Sequence, residues 1–413
     1  MPFLKERGEG VRGALSWPFL RLYLLVLLYF SANSILNVII PLRGESLGAS
    51  NTMIGIIMGA YLFTTMFFRP WAGQMIQKHG PIKVLRIILI INGFALILYT
   101  FTGLEGYLFA RILQGVSTAF FSMALQIGII DALPEEDRSQ GISLYSLFSY
   151  VPGILGPLLA LGIWQTGDMN YFTVVMIVIA ISTGLFGYSA KMDKNTDQPI
   201  ASHTEQRVNM FTSFNQLVKN PFLFKCSVLM LTSSIIFGAI TTFIPLYALQ
   251  LKSGNAGIYL MLQAGTVVFA RFTLRKKIPS DGKWHSSFIM GTMLVLAISA
   301  QCVSYSITGG PIFFYLGAIL MGIAQALIYP TLTTYLTFVL PQVNRNVLLG
   351  LFIAMADLGV SLGGVIMGPL ADLFSYSSVY MICAILAVTM VIFSYDRRKI
   401  FVEATTRACS KSS

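Results

Sequence analysis

The stretch YLFARILQGVSTAFFSMALQIGII, residues 107–130, carries a single formal charge, Arg111, in a run of apolar and small polar residues. About 20 such residues cross a bilayer as a helix, because lipid offers backbone N–H and C=O groups no partner and a helix satisfies them internally. The same pattern recurs along the 413-residue chain, 55% of which is hydrophobic and 11% charged, against roughly 25% charged in a soluble domain. Twelve spans can be placed, at 19–41, 52–69, 84–102, 107–130, 141–164, 171–190, 222–250, 255–272, 287–307, 312–337, 347–371 and 378–395. The expected fold is all-α, an integral membrane protein of twelve transmembrane helices.

The net charge of +11 would point to nucleic acid in a soluble protein, but here its placement decides. In the outer loops of this topology the basic residues are Arg43 and Lys252, and Arg111 is the one well inside a span. The other Lys and Arg residues gather at the chain ends, in alternate loops and in the middle linker. That is the positive-inside pattern of a multi-pass protein with both termini cytoplasmic, and no nucleic-acid partner is expected. The leader Met1–Arg12 lacks a small-residue cleavage site, so the first span is expected to start insertion itself. Cys226, Cys302, Cys383 and Cys409, with His79, His203 and His285, are scattered, and none has metal-ligand or disulfide spacing. No metal site and no cofactor are expected.

The polar stretch 191–220 divides the chain into a six-helix unit at 1–190, a cytoplasmic linker, and a second six-helix unit at 221–413. The halves share signatures. RPWAGQMIQKHGPIK places Arg69 eleven residues before Gly80, and RFTLRKKIPSDGK places Arg271 eleven before Gly282. LPEEDR at 133–138 matches LPQVNR at 340–345. Two related bundles entering from the same side imply a repeat about an axis along the membrane normal, with a shared site between them.

These strings resemble the major facilitator superfamily. GQMIQKHG, containing Gly73 and Gly80 and followed by Lys83, is similar to the family's loop motif between helices 2 and 3. RILQG at 111–115 is similar to its Arg-x-x-Gln-Gly motif, and PGILGPLLALG at 152–162, with Gly156 and Pro157, to its Gly-Pro motif of helix 5. Gln77 and Pro152 depart from the Asp and Gly usual in the first and last of these. The strings IIDALPEEDRSQGISLYSLFS, TLRKKIPSDGKWH, YPTLTTYLTFVLP and MADLGVSLGG resemble the staphylopine exporters, bacterial carriers that secrete an opine metallophore. The resemblance implies alternating access, a bacterial plasma-membrane location, a monomer, and export of a small carboxylate-rich metallophore against proton influx. A multidrug or siderophore efflux antiporter is the alternative within the superfamily, and a non-transporting sensor or scaffold the alternative outside it.

The residues fit a carrier and not an enzyme. No Gly-x-x-x-x-Gly-Lys-Ser/Thr loop exists to bind ATP, and the three histidines lie outside the spans, so no hydrolytic triad can form. Asp357 lies about ten residues into its span, roughly 15 Å deep. A carboxylate there costs about 2.5–3.5 kcal/mol on insertion scales and should face protein or water. It is the candidate proton carrier, the plainer alternative being a structural carboxylate near Ser361. Arg111, Gln114, Thr118, Ser122 and Gln126 form one polar stripe at three- and four-residue steps. Arg111 could clamp a substrate carboxylate through its planar fork and share in proton coupling, or it could be structural and hold a side chain of the first span. Asn33 and Asn37, Ser234 and Thr241, and Gln325 and Tyr329 mark polar faces on the first, seventh and tenth spans. With Gln114 and Thr118 they are the expected substrate contacts. Each could instead bond a neighbouring helix.

Overall fold

The computed structural model describes residues 13–190, 219–341 and 345–395. The expected linker at 191–220 lies almost wholly outside them. Among the described residues twelve helices are long and apolar enough to cross a membrane. They are α1 (Trp17–Ser46), α2 (Asn51–His79), α3 (Pro81–Phe101), α4 (Leu104–Ala132), α5 (Glu135–Gln165), α6 (Met169–Tyr188), α7 (Pro221–Gln250), α8 (Ala256–Leu274), α9 (Ser286–Gly309), α10 (Pro311–Val339), α11 (Arg345–Leu373) and α12 (Tyr376–Ser394).

Local chemistry sets the ends. The side chains of Ser50, Asp168, Asn220 and Ser375 accept hydrogen bonds from the first free N–H groups of α2, α6, α7 and α12. Proline opens α3, α7 and α10, where its missing N–H removes nothing. Gly80, at φ 81°, lets the chain reverse between α2 and α3. One boundary differs from expectation. The Arg69-Pro70 pair reads as a helix end, since a residue before proline avoids helical angles, yet α2 continues through Pro70 to His79. Phe67 and Trp71 hold ring contact across the bend, with centroids 5.1 Å apart, and Lys78 and His79 suit the negative end of the helix. Arg69 therefore sits inside a helix and not in a loop.

The two sets of six helices are joined unevenly. One apolar core takes in Ile39, Ile40, Ile54 and Ile57 from the first set together with Ile240, Ile244 and Met367 from the second. A separate core of Leu22, Val26, Leu85, Leu125 and Ile129 belongs to the first set alone, at the end where the chain enters α1. The sets thus meet through the half remote from the chain ends and keep apart cores near the chain ends.

Two seams carry most of the join, α2 against α11 and α5 against α8, with a smaller contact of α1 on α7. Backbones approach closely in the first: a Cβ added to Gly55 would collide with the carbonyl of Gly364, and one on Gly368 with that of Asn51. At its remote end Asp372 of α11 accepts from the backbone N–H of Asn51 at 2.7 Å and of Thr52 at 2.9 Å, and from the Thr52 hydroxyl at 2.6 Å. The carboxylate thereby caps the positive N-terminus of α2 from the opposite set of helices. A carbonyl cannot rotate away from a new side chain as another side chain could. Gly55→Leu is therefore expected to hold this end open, and spin labels at Leu47→Cys and Phe374→Cys should report a longer distance than in the parent. An unchanged distance would show that the seam closes without glycine.

Candidate functional site

Asp357 faces across the α2–α11 seam. Its Oδ2 accepts from Arg69 Nε at 2.8 Å, with the two side chains 15% and 31% exposed. Arg69 lies about ten residues from the end of α2, and Asp357 about twelve from the start of α11. Both are therefore some 15–18 Å along their helices from the end that carries the chain termini. The pair is half-buried and joins the two six-helix sets, which Ser361 as a local partner would not do. Tyr61 and Tyr329 stand within electrostatic reach of both charges.

Arg111 occupies a different place. It is 0% exposed. One terminal nitrogen donates to Asn33 Oδ1 at 2.8 Å and Gln114 Oε1 at 3.2 Å, and the other to Asn37 Oδ1 at 2.8 Å and Met58 Sδ at 3.3 Å. Its guanidinium carbon lies 5.2 Å from the centroid of the Tyr61 ring. Tyr99 donates to the same Gln114 oxygen at 3.0 Å. Thr118 bonds the hydroxyls of Tyr29 and Tyr61, at 2.9 and 3.1 Å. The stripe on α4 is buried from Arg111 to Ser122, Gln126 being exposed, and its residues Arg111, Gln114 and Thr118 tie α1, α2, α3 and α4 together. In this conformation the terminal nitrogens of Arg111, the Gln114 oxygen and the Thr118 hydroxyl all have neighbours as partners, while Arg111 Nε is buried without one. Arg111 here holds side chains of the first span.

The remaining expected contacts divide. Ser234 is buried where α7 packs on Gly359 of α11, so it too is a packing residue here. Asn33, Asn37, Thr241, Gln325 and Tyr329 keep partial exposure. Gln325 accepts from Gln263 of α8 at 3.1 Å, and Thr241 donates to the carbonyl of Phe237 at 2.9 Å. Gly156 packs against Ser34 of α1, Pro157 lies inside α5 with its carbonyl beside Gly257 of α8, and Gly73 faces Met123. Gly80 and Lys83 line a cleft of about 230 Å³ with His79, Asp131 and their neighbours, at the end of the molecule that carries the termini. Among the described residues no cluster of His, Cys, Asp and Glu could hold a metal ion. Three residues central to this geometry escape the sequence: Arg69, hidden by Pro70; Asp372, at a helix terminus; and Tyr61, one aromatic among many. For Arg69 a signal existed, since it recurs in the repeat as Arg271.

The profile of the Major Facilitator Superfamily matches residues 22–280 and 282–407. The chain belongs to this superfamily. Major facilitator proteins are transporters and not enzymes, and the twelve helices agree with solved members. A mutant of the nucleoside transporter NupG superposes with a TM-score of 0.75 at 15% identity, covering 91% of this chain and 98% of that one. A D-xylose-proton symporter gives 0.70 at 16% identity, covering 91% and 96%. These likenesses concern the major facilitator fold alone. A nearer relative is the staphylopine export protein of Staphylococcus aureus strain Mu50, 55% identical over 388 residues, 94% of this chain and 98% of that protein.

Proposed function

We propose that this chain exports a staphylopine-like, carboxylate-rich metallophore from the cytoplasm, driven by proton influx through alternating access. The observation that carries the coupling is the Arg69–Asp357 ion pair between the two six-helix sets. A proton taken up by Asp357 removes the charge that holds Arg69, and the α2–α11 seam loses its one charged tie at that depth. Protonation and seam geometry are then one equilibrium, as coupling requires. The cargo class is supported by the likeness to the staphylopine export protein along nearly the whole chain.

Orientation follows from charge. The Lys- and Arg-rich loops lie at the end that carries the termini, so that end faces the cytoplasm and the capped Asp372 end faces outward. The conformation described then has the α2–α11 seam closed at its outward end. The protein acts as a monomer, binds the metallophore before metal capture, and needs no metal of its own.

Deletion of the gene is expected to remove most of the metallophore from spent medium, measured by mass spectrometry, while the cells accumulate it. Unchanged extracellular metallophore would overturn the assignment. Broad sensitisation to hydrophobic cations would instead support a multidrug antiporter. Purified protein in liposomes should move the metallophore only when a pH gradient is imposed.

A further inference from the structure

The two halves of the chain align on short signatures, and the alignment has a structural counterpart. Arg69 and Arg271 each stand eleven residues before their turn glycine, and Tyr150 and Asp357 each stand seventeen residues after the leucine of LPEEDR and LPQVNR. Arg69 of α2 meets Asp357 of α11 at 2.8 Å. Arg271 of α8 lies over the ring of Tyr150 of α5, its guanidinium carbon 4.4 Å from the centroid. Both seams between the six-helix sets therefore carry an equivalent arginine. The residues opposite differ: a carboxylate in one seam, a phenol in the other.

Arg271 is short of acceptors. Its Nε is buried without a hydrogen-bond partner, and among the described residues no carboxylate lies within ion-pair distance of it. A ring face compensates a guanidinium charge only in part, and it cannot accept the two parallel hydrogen bonds that a guanidinium offers a carboxylate. Val267, Ala270 and Ala326 pack beside Tyr150. The phenol of Tyr329 on α10 lies within electrostatic reach of Tyr150 as well as of Arg69 and Asp357.

We infer that Arg271 is the receptor for a carboxylate of the substrate, which occupies at the α5–α8 seam the place that Asp357 fills at the α2–α11 seam. This inference rests on the metallophore assignment above. Each seam then has its own controlling ligand: a proton acts on α2 and α11, and the substrate carboxylate on α5 and α8. Arg111 differs: its Nε is likewise unpartnered, but both of its terminal nitrogens, the pair that would grip a carboxylate, are held by Asn33, Asn37 and Gln114.

The test is calorimetric binding of metal-free staphylopine to the purified full-length protein and to three variants. Arg271→Gln is expected to bind roughly ten- to a hundredfold more weakly, the value of a charged hydrogen bond. Tyr150→Asp and Tyr150→Asn both remove the ring, but only the first supplies a carboxylate to Arg271. Tyr150→Asp should therefore bind about tenfold or more weakly than Tyr150→Asn, and should unfold at a higher temperature in the absence of ligand. A purely structural role for the ring would weaken both alike. Because the Asp and Asn variants keep Arg271, their comparison stands even if Arg271→Gln does not fold. Equal affinity of the Asp and Asn variants overturns the inference and leaves the metallophore assignment standing. Failure of the parent protein to bind staphylopine overturns the assignment, and with it the substrate carboxylate named here.

Discussion

Asp357→Asn is expected to abolish transport driven by a pH gradient while leaving a folded, inserted protein. Amide and acid are nearly the same size, so the fit against α2 is kept. The amide oxygen can still accept from Arg69 Nε, but the ion pair at 2.8 Å becomes a bond from a charged donor to a neutral acceptor, and the attraction between opposite charges is lost. The variant cannot titrate and so mimics the protonated state throughout the cycle. Flux of metallophore into inside-out vesicles under an imposed pH gradient should fall to background. Exchange of labelled for unlabelled substrate at equal pH should persist, because it needs the binding site and the rocking motion but no net proton movement. Arg69→Gln makes the matching case. It strands a half-buried carboxylate, and removing one partner of a buried pair costs about 3–5 kcal/mol, a penalty that Asp357 escapes by holding its proton. Parental dependence on the pH gradient in Asp357→Asn would show that the proton travels elsewhere.

The second large effect concerns Arg111 and is expected in stability. Arg111→Ala leaves Asn33 Oδ1 and Asn37 Oδ1 without their donor, Gln114 Oε1 keeping the Tyr99 hydroxyl, and it empties the volume of a fully buried side chain. An acceptor left unmade costs at most about 1–3 kcal/mol where it is buried, so these two and the emptied volume together take a good part of the roughly 5–15 kcal/mol that holds a typical domain folded. The variant should accumulate poorly and lose its cooperative unfolding transition. Arg111→Lys should be intermediate: its ammonium keeps the charge but cannot span three acceptors set for a planar fork. Purified Arg111→Lys is expected to melt several degrees below the parent and to bind metallophore with parental affinity. The reverse, an unchanged melting temperature with lost affinity, would return Arg111 to the substrate.

The helices were legible because the membrane sets a coarse and demanding rule: about 20 apolar residues and internally satisfied backbones. Eleven of the twelve spans differ from the placed segments by no more than about six residues at either end, since a helix can project past the bilayer at no cost to its hydrogen bonds. The twelfth, α2, overran because Pro70 is a local signal, and ring packing between Phe67 and Trp71 outweighs it. Side-chain partners were less legible. The stripe from Arg111 to Ser122 shows which face of α4 turns inward, but periodicity does not say whether that face meets a cavity or another helix. Asn33 and Asn37 decided between those outcomes, and they lie more than seventy residues away in sequence. Asp357 could be singled out by depth alone, whereas its partner required the fold to bring α2 against α11.

The carboxylate of Asp372 holds α2 mainly by two backbone N–H groups, those of Asn51 and Thr52, with one hydroxyl besides. Every residue type except proline presents that N–H. The two faces of the outer clasp are thus unequally exposed to mutation: a change at 51 costs the bond that Asn51 Oδ1 accepts from the Tyr376 hydroxyl at 2.6 Å, a change at 52 costs one hydroxyl bond, and either keeps its backbone donor, while position 372 must stay acidic. A random library across both helix ends should return several functional residues at 51 and 52, few prolines at either, and nearly invariant Asp at 372. Closure of this gate is in that sense encoded mainly on one side, and a lineage could remodel the start of α2 for other purposes at the loss of a single bond per step without unlearning how to shut.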